Sequence, residues 1–122
     1  MRWNDIIKMH EAGHIIGSHT MDHYIINSED LTELEHQIGD CKGIIENRLS
    51  APCEYFAFSY GRLEHVNPAS IDIALKYYKY VFSQSNFKNY FSYNGAVINR
   101  RHFEPYWPIG HVKYFVSHPK KY

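Results

Sequence analysis

Apolar positions recur along this chain in two rhythms, helical steps of three and four residues and short continuous runs, and each predicts its own element. Trp3, Ile6, Ile7 and His10 step as the inner face of a short amphipathic helix that Gly13 ends. Residues 14–18, carrying the Ile15-Ile16 pair, predict a brief strand. Ser28-Glu29-Asp30 opens a longer helix, with Ser28 as its cap and acids in its first turn. Leu31, Leu34, Ile38, Cys41, Ile44, Ile45 and Leu49 carry its apolar face to about Arg48, and Pro52 marks the exit. Residues 54–58 predict a strand closed by Ser59-Tyr60-Gly61. Asn67-Pro68 starts another helix, with Ile71, Ala74, Leu75 and Tyr78 facing inward. Residues 80–83 and 95–99 predict further strands. Beyond Pro105 and Pro108 a final short helix or extended tail runs through Val112, Phe115 and Val116.

Short strands alternating with helices predict an α/β architecture with parallel strands. Such sheets carry their chemistry at the carboxyl ends of the strands. Two marked segments fall there, Ser59-Tyr60-Gly61 and the run Gly17-Ser18-His19-Thr20-Met21-Asp22-His23. The second sets two imidazoles four positions apart. Neutral imidazole is the commonest protein ligand for zinc and similar ions, and a loop of that span can aim both rings at one ion. With nine histidines in the chain, however, such pairs also arise by chance, and His10/His14 is a second one.

Composition narrows the function classes. A length of 122 residues with 44% hydrophobic content fits one small globular domain, residues 1–122, or part of a larger one. Thirteen acidic residues balance thirteen basic ones, which gives no electrostatic case for nucleic acid or an anionic membrane. No stretch is apolar for long enough to span a bilayer. The opening Met1-Arg2-Trp3-Asn4-Asp5 lacks the apolar core of a signal peptide, so a cytoplasmic location is the expectation for the chain as given. Cys41 and Cys53 lack metal-ribbon spacing and are expected to be a reduced structural pair, with a single disulfide as the alternative. Eleven tyrosines and Trp107 suit either packed faces or sugar-stacking surfaces.

The segment Gly13-His14-Ile15-Ile16-Gly17-Ser18-His19-Thr20-Met21-Asp22-His23 resembles the second motif of polysaccharide deacetylases of the NodB-homology type, carbohydrate esterase family 4, G-H-x-I-G-x-H-[ST]-x-x-H. The resemblance implies that His19 and His23 are metal ligands and that the Thr20 hydroxyl steadies the loop between them. Tyr55-Phe56-Ala57-Phe58-Ser59-Tyr60-Gly61 is similar to the third motif, R-x-P-Y-G, with Ala57 at the arginine and Ser59 at the proline. By that likeness the Tyr60 backbone N–H helps to form an oxyanion hole. The family arginine orients a catalytic aspartate, and Arg100 or Arg101 is the expected substitute from a later strand. His111, after Ile109-Gly110, and His118 are candidates for the general-acid histidine of the family's last motif.

The family's first motif, T-F-D-D-G, has no counterpart, because no Asp-Asp pair occurs in this sequence. Asp22 and Glu11 lie near the histidines but read as solvated carboxylates. The expectation is therefore part of a distorted (β/α) barrel of the polysaccharide deacetylase type, lacking its first strand or strands. The complete site implied is a metal-dependent hydrolase, zinc being the first choice of divalent ion, that removes N-acetyl groups from a polysaccharide. Tyr60, Trp107, Arg100 and Arg101 would contact the substrate. The chain alone is expected to be inactive or nearly so, since losing a general base costs ~10²–10⁴ in rate. A non-catalytic carbohydrate- or metal-binding remnant is the alternative. Self-association through exposed barrel edges is also expected, and the parent enzyme would act on cell-envelope or exported glycans.

Overall fold

Asp5 accepts a hydrogen bond from the Arg2 N–H at 2.9 Å, which satisfies one orphan amide and starts helix α1 (Trp3–Glu11). The computed structural model describes residues 1–60, 62–84, 89–101 and 103–118. Gly13, at φ +90°, takes the left-handed conformation that turns the chain out of α1. The expected strand over residues 14–18 shrinks to one residue, as Ser18 makes a single parallel bridge to Phe56. Its partner strand β1 (Tyr55–Ala57) is only three residues long, and the chain veers off at Thr20 (φ 70°). There is no ladder left to extend.

The long helix runs from Leu31 to Leu49 as predicted, but in three parts: α2 (Leu31–Glu35), a π-turn (His36–Asp40) and α3 (Cys41–Leu49). Its cap is Asp30 rather than Ser28. The Asp30 carboxylate accepts from the Thr32 N–H at 2.9 Å, while Ser28 Oγ accepts from the Asp30 N–H at 3.0 Å. The wider π-turn shifts the phase of the apolar stripe. Leu34, Ile38 and Ile45 are buried, whereas Leu31 and Ile44, expected on the inner face, are exposed.

Asn67 caps α4 (Pro68–Tyr77) in a reciprocal box, its Oδ1 accepting from the Ser70 N–H at 2.8 Å and its own N–H donating to Ser70 Oγ. Strand β2 (Tyr80–Ser83) follows, then β3 (Phe91–Ser92), β4 (Val97–Asn99) and α5 (Ile109–Ser117). The sheet order is β1-β2-β4-β3. β1, β2 and β4 are parallel, as the alternating pattern predicts, with Phe56, Val81 and Val97 in one cross-sheet row. β3 was not foreseen, and it pairs antiparallel to β4. Its tight turn passes through Tyr93, Asn94 and Gly95, all at positive φ.

The core lies between the sheet and the helices. Phe56, Phe58, Val81 and Val97 meet Leu34, Ile38, Ile71 and Ala74 there. Of the inward positions expected on α4, Ile71 and Ala74 are buried and Leu75 is partly so, with Tyr78 buried just past the helix end. The Tyr78 hydroxyl donates to the Ile38 carbonyl at 2.7 Å, and burial raises its pKa above the ordinary tyrosine value. Cys41 and Cys53 are free thiols, and burial pushes that of Cys53 up. Among the described residues no helix is long and apolar enough to cross a membrane.

Truncating Phe56, which is 1% exposed, to Ala should cost about 3–5 kcal/mol in urea unfolding. Phe91→Ala, at a site 61% exposed, should stay within about 0.5 kcal/mol. In the π-turn the Asp40 carboxylate bonds His36 Nδ1 at 2.9 Å and raises the imidazole pKa above its usual 6.5. The stabilisation from this pair is present while the ring is protonated in both states, below 6.5, and is lost as pH rises through the higher folded value. An NMR titration should place the His36 midpoint above 6.5, and Asp40→Asn should return it toward that value.

Candidate active site

Residues that leave the carboxyl ends of parallel strands are gathered on one rim of the sheet. His19 leaves there because of the Ser18 bridge. The Ser18 N–H donates to the Tyr55 carbonyl at 2.8 Å, and the Ser18 carbonyl accepts from the Ala57 N–H at 2.9 Å. Gly17 permits this approach, since a Cβ on it would stand 3.0 Å from the Tyr55 oxygen. The ring of His19 is then tied to the same strand, its Nδ1 lying 2.7 Å from the Ala57 carbonyl. A carbonyl can only accept, so Nδ1 carries the proton and Nε2 is the nitrogen left with a lone pair.

The loop from His19 to His23 is a bend rather than a helix. Thr20 (φ 70°) and His23 (φ 54°) both sit in the left-handed region, at a general cost of order 1–3 kcal/mol each. A directed hydroxyl chain holds this conformation. The Tyr24 N–H donates to Thr20 Oγ1 at 3.2 Å, Thr20 Oγ1 and Ser59 Oγ are 2.9 Å apart, and Ser59 donates to the His19 carbonyl at 3.1 Å. Each hydroxyl has one proton, so Thr20 is the donor to Ser59. Ser59 thus ties the end of β1 to the histidine loop.

The structure brings His19, His23 and Tyr60 together. The ring centroids of His19 and His23 are 5.2 Å apart, and those of His23 and Tyr60 are 5.0 Å apart, both edge-to-face. The Tyr60 N–H has no hydrogen-bond acceptor among the described residues. Gly61 lies outside them. His65, in the short turn Leu63–His65, extends the row at 5.7 Å from Tyr60. The Nδ1 of His65 is buried without a hydrogen-bond partner among the described residues.

Other expected residues are more dispersed. Arg100 does reach the end of β1, donating from its guanidinium to the carbonyl of Phe58, next to Ala57, at 3.3 Å. Arg101 lies over the Tyr90 ring, 4.7 Å from its centroid. Trp107 is half-buried in a turn closed by its N–H to the Glu104 carbonyl. His111 is exposed in the first turn of α5 and makes no ring contact or side-chain hydrogen bond with the histidine cluster. His118 stacks on Tyr114 at 3.9 Å. His10 and His14 line a separate cleft of about 350 Å³ with Glu54 and Tyr55, at the amino end of β1.

The family model for polysaccharide deacetylase matches residues 1–80 of this chain. The chain belongs to the polysaccharide deacetylase family. Its fold is similar to that of the Streptococcus pyogenes deacetylase PplD, solved in complex with acetate, with a TM-score of 0.76 at 19% identity. The likeness covers 94% of this chain and 50% of that one, so the chain spans about half the length of this relative. A search of curated proteins returned no significant match.

This family implies a metal, and the histidine pair fits half of such a site. Two imidazoles sharing a tetrahedral ion at about 2.0 Å per nitrogen have ring centroids roughly 5 Å apart, and the observed spacing is 5.2 Å. The carbonyl-tied Nδ1 of His19 is the outer contact that ligating histidines commonly make. Among the described residues no third His, Cys, Asp or Glu joins the pair, and the Asp22 carboxylate instead accepts from Gln37. Two contributors escaped the sequence reading, His65 and Gln37. Neither belongs to a motif, and only the folded packing against Tyr60 and the loop marks them.

Thr20→Val keeps the shape and removes both hydroxyl contacts. It should cost about 1–3 kcal/mol in chemical denaturation and speed amide exchange at Tyr24.

Proposed function

We propose that this chain contributes the imidazole half and the oxyanion donor of a metal-dependent N-deacetylase acting on an N-acetylated polysaccharide. The reading rests above all on the row His19–His23–Tyr60 at the carboxyl rim of a parallel sheet, in a chain of this family. The sheet, with Ser18 bridged outside β1, is one part of a distorted (β/α) barrel, and residues 1–122 form a single portion of that domain.

His19, through Nε2, and His23 would hold a divalent ion, zinc in first place. When bound, such an ion polarises an amide carbonyl and lowers the pKa of a water. The residues of this chain then divide the remaining work. The Tyr60 N–H donates to the oxygen on which charge develops, a placed donor of the kind worth about 10²–10³ in rate. The Tyr60 ring, against His23, walls one side of the site. Arg100 supplies positive charge beside Phe58, where it can orient a carboxylate. Arg101, just past β4, and Trp107 would be substrate contacts, and His111 or His118, both away from the histidine row here, would be the proton donor to the departing amine. The base and a third ligand are carboxylates outside this cluster, as the family's Asp-Asp motif implies.

Calorimetric zinc titration of the chain, beside a His19→Ala/His23→Ala variant, tests the proposal. The expected result is a Kd of about micromolar that weakens at least tenfold in the variant, together with release of acetate from an N-acetylated oligosaccharide only when a carboxylate-bearing segment of the family completes the site. Equal zinc binding by both proteins would sink the metal reading. Zinc binding without acetate release in the completed protein would leave a metal-binding remnant.

A further inference from the structure

Between the two histidines the loop carries three peptide N–H groups, and two of them, those of Met21 and Asp22, end on one residue of the facing helix. The Met21 N–H donates to the Gln37 backbone carbonyl at 3.1 Å, and the Asp22 N–H donates to Gln37 Oε1 at 3.2 Å. The Gln37 Nε2 donates in turn to Asp22 Oδ2 and to Glu33 Oε1, each at 3.0 Å. Gln37 is 2% exposed, and its carboxamide uses both donors and its acceptor. Cys41 adds a thiol contact to the Thr20 carbonyl at 3.5 Å. Residues 20, 21 and 22 are thus all held by one face of one helix.

That face is the π-turn. In a regular α-helix each carbonyl is committed to the N–H four residues on. Here two consecutive carbonyls of the wide turn accept from outside the helix, that of Gln37 from Met21 and that of Ile38 from the Tyr78 hydroxyl. Single π-turns of this sort recur at functional sites. Gly39 lets the turn pack closely, because a Cβ there would lie 2.9 Å from the Tyr77 ring.

We propose that Gln37 is a positioning residue: from the π-turn it locks the loop between His19 and His23, and thereby sets the spacing of the two imidazoles for the ion. The inference rests on the metal reading of those histidines. Gln37 touches neither the ion nor the substrate. It acts through the Met21 and Asp22 peptides, holding Thr20 and His23 in their left-handed conformations.

The test compares the 122-residue chain with Gln37→Leu and with Asp22→Ala, the latter at an exposed position that removes one acceptor without opening the core. Amide hydrogen exchange is read without metal, and zinc affinity by calorimetry. For Gln37→Leu, which keeps the backbone carbonyl that Met21 uses, exchange at Asp22 should rise at least tenfold while Val81 and Val97 keep their rates. Zinc affinity should fall about 10–100-fold, as for other outer contacts of metal ligands. Asp22→Ala should move both readouts in the same direction by a smaller factor. Unchanged exchange at Asp22 overturns the proposal, and so does faster exchange there with wild-type zinc affinity. Should Gln37→Leu fail to fold, an Asp22→Ala chain indistinguishable from wild type overturns it. A wild-type chain that binds no zinc refutes the metal reading itself and with it the stated purpose of the lock, while the exchange data still report separately whether Gln37 holds the loop.

Discussion

Two backbone hydrogen bonds between Ser18 and β1 set the geometry on which the site depends. They run from the Ser18 N–H to Tyr55 and from the Ala57 N–H back to Ser18. Parallel pairing requires both chains to point the same way, so His19 and Phe58 emerge at the same rim. The bridge needs close approach, and Gly17 allows it by having no side chain to meet Tyr55. The Ala57 carbonyl, next in the same strand, then takes His19 Nδ1. One short stretch of β1 therefore positions the first histidine at both its backbone and its ring.

The second histidine has no such anchor. His23 follows a loop with two left-handed residues, a conformation that a free peptide would abandon. It persists because the loop is gripped from two directions. Thr20 and Ser59 join it to the end of β1, and Gln37 joins it to the helix. The Tyr60 ring closes the third side. Strain at the loop is offset by these hydrogen bonds, and the Gln37 carboxamide at their centre uses both donors and its acceptor.

Elements whose signals are local were legible in the sequence. Asn67-Pro68 sits at the start of α4 and Ser70 completes the box, all within four residues. β2 covers residues 80–83 as predicted, because its apolar run is bounded by the polar Lys79 and Gln84. The long helix was legible too, but its π-turn was not. A helical repeat read at 3.6 residues per turn contains no sign of a wider turn, so Ile44, past it, reads inward and lies outward, while Leu31 is exposed as the first residue of α2. The cap was misplaced by two residues because Ser28 and Asp30 are both good caps, and only the formed backbone decides which oxygen meets the Thr32 amide. β3, two residues long, is too short to carry a period.

By itself the sequence determined the resemblance that pointed to the family, together with the parallel α/β plan. The plan follows from local periodicity and the resemblance from short contiguous motifs, and neither needs knowledge of distant contacts. Only the tertiary structure decided that Arg100 comes to Phe58, that His65 backs Tyr60, and that a buried glutamine bonds the loop between His19 and His23. Those pairings join residues 42, 5 and 15 positions apart with no periodic signal between them. They are set by the packing of the helix and the later strand against β1. Side chains find such partners only once the core has fixed how the elements lie.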